Sequence, residues 1–270
     1  MVLVPKWARV ATVLAATAVV AAASPAAVAA QASAPHAAPS VAGPSHAAPA
    51  ALQNGALQLP AGASNAAPER LLAGDAAAWS GATETAVALQ RTPPLYEGDP
   101  VDDGARPAAA AAALHAAGAL FVRLRWDDAS RSEPLAPEMF PDAGDESIYK
   151  AHSRDISGFA DAACVMVPKQ TGEQAPFPSL MMGEVEAPVD LYYWNLARGF
   201  ERLEASGRAT TTRTGQSFPG AARRTARGWE VVLQLPDLEA RTPVSFAIWD
   251  GAAGHRDGLK YFTLWYEVGR

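Results

Sequence analysis

The chain has 270 residues, with 22 Lys and Arg against 28 Asp and Glu, a formal charge of −6, and one cysteine. An acidic balance argues against nucleic acid and anionic membranes as partners. Cys164 alone cannot form an internal disulfide, and without a Cys-x-x-Cys-His run no haem can be attached covalently in the c-type manner.

The N-terminus reads as an export signal. Lys6 and Arg9 precede an unbroken apolar run from Val10 to Ala23, and small residues lead to a cut expected before Gln31. The apolar run is short for a membrane span, which needs about 20 residues. No Arg-Arg pair precedes the apolar run, so residues 1–30 are read as a cleaved Sec-type signal and the mature protein as periplasmic. Residues 31–65 are mostly Ala, Pro, Ser and Gly and are read as a flexible tether, with His36 and His46 incidental to it. About 205 residues remain, enough for one domain, 66–270, with its own core.

Within that domain short apolar or alternating runs are separated by Gly, Pro and Asp. Leu120-Phe-Val-Arg-Leu-Arg-Trp126 places Leu120, Val122, Leu124 and Trp126 on one face. In 228–235, Trp229, Val231, Leu233 and Leu235 alternate with Glu230 and Gln234. Further strands are expected over 85–90, 160–167, 189–194, 243–249 and 261–268. The Ala-rich 108–117 is helical by propensity, yet it leads directly into the strand at Leu120 and is assigned as the first arm of a hairpin. Residues 133–145 read as a loop, and 196–206 as a short helix or ragged connection. The expected fold is mainly β, an antiparallel β-sandwich with a few short helices and long loops.

Catalytic signatures are missing: no Gly-x-Ser-x-Gly, no His-Glu-x-x-His, no phosphate-cradling Gly-rich loop and no Cys/His cluster. Asp127, Asp128 and Asp155 follow strands or lie in loops, where acidic residues form turns. Cys164, in an apolar run, reads as a buried small side chain. Nothing points to catalysis by this chain alone. Two features stand out. If 260–268 is one strand, parity groups Lys260 with Phe262, Leu264, Tyr266 and Val268. Lys260 then either snorkels to water or is kept as a neutral amine for coordination. Met181 and Met182 sit side by side before Gly183, after the Pro-rich 175–178. A methionine fills core gaps or serves as a soft axial ligand to haem iron, and in an extended segment only one of the two could reach a given site.

Several segments, taken in order, resemble the haem b-binding γ subunit family of ethylbenzene dehydrogenase and dimethylsulfide dehydrogenase. They are 120–128 (LFVRLRWDD), Phe159-Ala-Asp-Ala-Ala-Cys-Val-Met-Val-Pro168, Met181-Met-Gly183 with 189–194, and Phe246-Ala-Ile-Trp-Asp-Gly251 with 260–266. The resemblance covers about 77–268. It implies a β-sandwich holding one b-type haem between Met182, the methionine before glycine, and Lys260, with Met181 as the fallback. It also implies a relay of electrons between the iron–sulfur subunit of a molybdenum enzyme and soluble cytochrome c-type carriers. His115, His152 and His255 are the rival ligands. The competing reading is an exported carbohydrate-binding sandwich module that stacks sugars on Tyr192, Tyr193, Trp194, Trp265 and Tyr266.

Overall fold

The computed structural model describes residues 48–49, 52–53, 56–94, 99, 101–133, 159–172, 175–239 and 241–269. The expected signal, most of the expected loop at 133–145, Asp155 and the histidines at 36, 46 and 152 lie outside the described residues. The elements run, in chain order, β1 (Ala48–Pro49), β2 (Leu52–Gln53), β3 (Ala56–Leu59), β4 (Ala61–Ala63), α1 (Pro68–Leu72), β5 (Thr85–Ala86), β6 (Gln90–Arg91), β7 (Ala109–Ala116) and β8 (Ala119–Asp127). They continue through β9 (Ala162–Pro168), β10 (Val189–Asn195), β11 (Gly199–Ala205), β12 (Thr212–Gln216), β13 (Gly220–Arg224), β14 (Gly228–Pro236), β15 (Pro243–Trp249), β16 (Tyr261–Phe262) and β17 (Tyr266–Val268).

Among the described residues these strands form two mixed sheets. The seven-stranded sheet runs β1-β5-β7-β8-β14-β13, with β4 also beside β7. The ten-stranded sheet runs β12-β11-β10-β9-β15-β17-β3-β2, and β16 links β15 to β6. Antiparallel pairing dominates; β1 with β5, β4 with β7 and β17 with β3 are parallel. The β-sandwich expected from the alternating runs is present.

Why the strands lie where they do is clearest in the first sheet. The alanine run forms β7 because its hairpin is closed by Ala117 and Gly118, both at positive φ (49° and 70°), as a two-residue turn between paired Ala116 and Ala119 requires. Helix propensity loses here to burial: Ala111, Ala112 and Ala113 are fully covered. β8 and β14 pair in the register that their alternation demands, Leu124 opposite Val231 and Trp126 opposite Trp229. One face of each fills the layer between the sheets with Val165, Trp194, Phe246 and Ile248 from the other sheet. Trp194 packs against Trp229 at 5.0 Å and against Trp126 at 6.3 Å between ring centroids.

Two further apolar layers flank the sandwich. On the outer face of the first sheet, Leu71 of α1 and Trp79 pack with Leu114, Phe121 and Val232. On the outer face of the second, Cys164, Met166, Leu191, Tyr193, Leu203, Ala247 and Trp249 form a layer, partly covered by Leu180, Met182, Phe262 and Trp265. Strands β9, β10 and β15 are therefore apolar on both faces, which explains their nearly continuous hydrophobic sequence.

Three expectations need correction. Residues 196–206 are neither helix nor ragged: β11 pairs with β10 across seven residues, after a short turn in which Asn195 Oδ1 accepts the Ala197 N–H. The stretch assigned to the tether contains paired structure, since β3 lies against β17, β4 against β7, and Gly269 donates its N–H to Leu59 O. Lastly, 261–268 is two strands. Thr263 Oγ1 accepts the Phe246 N–H and the Thr263 N–H bonds Phe246 O, so the ladder is interrupted. Tyr266 and Val268 face the inter-sheet core, whereas Phe262 faces the outer layer.

Candidate haem-ligand site

Lys260 and Met182, 78 residues apart, meet over the outer face of the second sheet. Lys260 Nζ lies 3.8 Å from Met182 Sδ and 5.4 Å from the centre of the Trp249 ring. The lysine is 7% exposed, and burial holds its amine down at about 8, with Cys164 and Asp257 opposing and the Arg208 charge adding to the depression. Its backbone is clamped on both sides: Thr92 Oγ1 accepts the Lys260 N–H at 2.8 Å, and the Thr92 N–H donates to Lys260 O. Of the two readings of Lys260, the structure has the side chain buried rather than snorkelled to water, but not through shared parity with Tyr266 and Val268. It points into the outer layer beside Cys164, whose thiol burial pushes up to about 12.

Met182 is placed by a turn rather than by an extended segment. Met182 and Gly183 are both at positive φ (73° and 72°), and Met182 O accepts the Gly207 N–H, tying the turn to the end of β11. This conformation sends Met182 against the outer layer and leaves Met181 41% exposed. A side chain at Gly183 would meet Ala187 O at 2.7 Å. Gly183→Ala is therefore expected to destabilise the chain by about 1–3 kcal/mol and to displace Met182. Urea unfolding checks the first, and a shift in the cofactor's visible spectrum the second.

Of the described histidines, neither joins this pair. His115, on β7, bonds Asp237 through Nδ1 at 2.9 Å. His255 is buried, with Arg91 Nε at 3.3 Å from Nε2 and the Asp250 N–H at 3.3 Å from Nδ1; burial and the Arg91 and Arg106 charges hold it at about 4. The aromatics considered for sugar stacking are mostly interior: Tyr192, Tyr193, Trp194 and Tyr266 are buried, and Trp265 is half-covered beside Phe177.

The chemistry of the donor pair fits a haem iron. A buried amine whose one hydrogen-bond partner among the described residues is a thioether is a costly arrangement for a protonated lysine. It suits a neutral amine and a soft sulfur that share a metal. The Lys260 amine and the Met182 thioether would hold the iron of such a group as its two protein donors. Phe262, Trp265 and Trp249 give the apolar, aromatic surroundings that a porphyrin face needs.

The chain is 32% identical over 206 residues to the chlorate reductase subunit gamma of Ideonella dechloratans, an alignment covering 72% of this chain and 77% of that one. It is 31% identical over 163 residues to the dimethylsulfide dehydrogenase subunit gamma of Rhodovulum sulfidophilum, covering 53% of each. A third relative, the "Putative respiratory nitrate reductase heme subunit ORF7" of Haloferax mediterranei, is 31% identical over 163 residues, 55% of this chain and 50% of that one. The chain belongs to the haem-binding γ subunit family of oxidoreductase complexes. It spans about half the length of the second and third relatives. No family model matches it. A solved structure of a "putative carbohydrate-binding protein" from Bacteroides uniformis superposes with a TM-score of 0.39 at 11% identity, covering 78% of this chain and 89% of that one; a likeness this loose bears on neither fold nor function.

Proposed function

We propose that this chain is an exported electron-transfer subunit that holds one b-type haem between Met182 and Lys260. It contributes no catalysis of its own and relays electrons between the iron–sulfur subunit of a molybdenum oxidoreductase and a soluble cytochrome c-type carrier in the periplasm. The observation that carries this reading is the buried amine of Lys260 facing the sulfur of Met182. Support for redox work in a complex comes from the relatives, which are named as subunits of a chlorate reductase and a dimethylsulfide dehydrogenase.

Haem, when bound, supplies one-electron exchange. The residues set the conditions for it. Lys260 offers the lone pair of an amine that burial already keeps from holding its proton firmly. Met182 offers an uncharged thioether, which favours the reduced metal and raises the potential. Phe262 and Trp265 limit water at the site. The acidic surface of the chain steers basic carriers, an attraction that weakens with salt.

Acidified organic solvent is expected to extract the pigment and leave colourless protein, as non-covalent haem does. A native protein that is colourless and takes up no added haemin would overturn the reading. Met182→Ala should lower the midpoint potential, because the soft ligand is lost, while exposed Met181→Ala should leave it nearly unchanged. A potentiometric titration of the three proteins decides between the two methionines.

A further inference from the structure

Away from the Met182–Lys260 pair, three carboxylates converge from three separate segments. Asp128 follows β8, Asp161 precedes β9, and Asp250 follows β15. One oxygen from each lies within 4.8 Å of the others. Asp161 is fully buried and Asp128 is 7% exposed.

Their hydrogen bonds leave capacity unused. Asp161 accepts the N–H of Ser132, the N–H of Gly251 and Nε1–H of Trp229. Asp128 Oδ1 accepts both the N–H and the hydroxyl of Ser130, but Asp128 Oδ2 is buried and accepts nothing. Asp250 Oδ1 accepts the Ala253 N–H. Three acids packed together need a balancing cation or protons. Arg227 is paired with Asp127 and Arg106 with Asp102. Arg224 lies over the Trp229 ring and donates to the backbone carbonyl of Asp128.

We propose that Asp128, Asp161 and Asp250 bind a hard divalent cation, calcium, at this end of the sandwich. All the donors are oxygens, which excludes a preference for soft metals. Calcium bonds of 2.3–2.6 Å allow two ligands of one ion to stand up to about 5 Å apart, which matches the observed spread. Calcium also accepts an irregular shell of six to eight oxygens, so water and carbonyls can complete what three fixed carboxylates begin. A cavity of about 510 Å³, lined by Asp127, Asp128 and Asp250 together with Arg106, Arg224 and Arg227, opens onto two of the three carboxylates and gives a route of entry from solvent. Neither Met182 nor Lys260 lines it.

The test uses the full chain as purified, stripped with EDTA and then dialysed against calcium chloride. One calcium per chain is expected, with a rise in melting temperature. Asp128→Asn, which keeps an oxygen for Ser130, should bind at least tenfold more weakly and lose the rise. If that variant is misfolded by circular dichroism, the half-buried Asp250→Asn takes its place with the same expectation. Absence of bound calcium at millimolar concentration, or equal binding by the wild type and both variants, overturns the site. So does a wild type that binds none and instead gains stability on acidification, because the acids then share protons. The haem spectrum should not change with calcium, so failure here is separable from failure of the electron-transfer reading.

Discussion

Lys260→Ala is expected to weaken haem retention by on the order of a hundredfold and to change the ferric low-spin spectrum. The variant loses the buried amine and leaves Met182 as the only donor of the pair. Lys260→Met, which restores a soft neutral donor, should retain haem and raise the potential. The amine also leaves a signature in the haem-free chain. Its pKa is near 8 in the fold and near 10.5 when exposed, so the unfolded chain holds the extra proton between those values. Stability therefore rises with pH from about 8 to about 10.5 and is penalised below 8, by on the order of 3 kcal/mol. Denaturant midpoints of haem-free wild type and Lys260→Met, compared from pH 7 to 11, should converge toward the alkaline end. Parallel curves, together with an unchanged spectrum for Lys260→Ala, would remove Lys260 from the site.

The second large effect belongs to Asp161. Its carboxylate ties Ser132, β14 through Trp229, and Gly251 beyond β15, so Asp161→Ala strands three donors, those of Trp229 and Gly251 buried and that of Ser132 partly so. A loss of about 3–5 kcal/mol is expected, measured by urea unfolding in EDTA so that no cation contributes. Asp161→Asn keeps one acceptor and should cost less. A loss below about 1 kcal/mol for alanine would mean that water serves these donors.

Strands with a clean apolar alternation were legible in the sequence, because the period of two survives wherever one face is buried: β8 and β14 are the clearest cases. β15 matches its expected bounds residue for residue. The missed elements lack that signal. β11, β12 and β13 are rich in Arg, Thr and Glu whose side chains are half exposed; in β3 only Leu57 and Leu59 alternate with Gln58, and β4 is Ala-Gly-Ala, runs too short and too small to mark a strand. The pairing of Met182 with Lys260 followed from resemblance to a family, and periodicity alone misplaced the lysine. Thr263 breaks the parity that grouped it with Tyr266, and the methionine is selected by a left-handed turn rather than by an extended run. The cluster at Asp128, Asp161 and Asp250 was not legible, since each acid taken singly reads as a turn former.

The second sheet is clothed on both sides, and Lys260 and Met182 sit in its outer covering. The sandwich interior closes without either of them. Assembly can then proceed in two stages: the polypeptide reaches its native topology first, and the prosthetic group is inserted afterwards into a wall already standing. On the proposed export of an unfolded chain, no companion is needed to deliver pigment during collapse. Loss of the pigment, by the same logic, would leave a folded but inert protein that can be recharged.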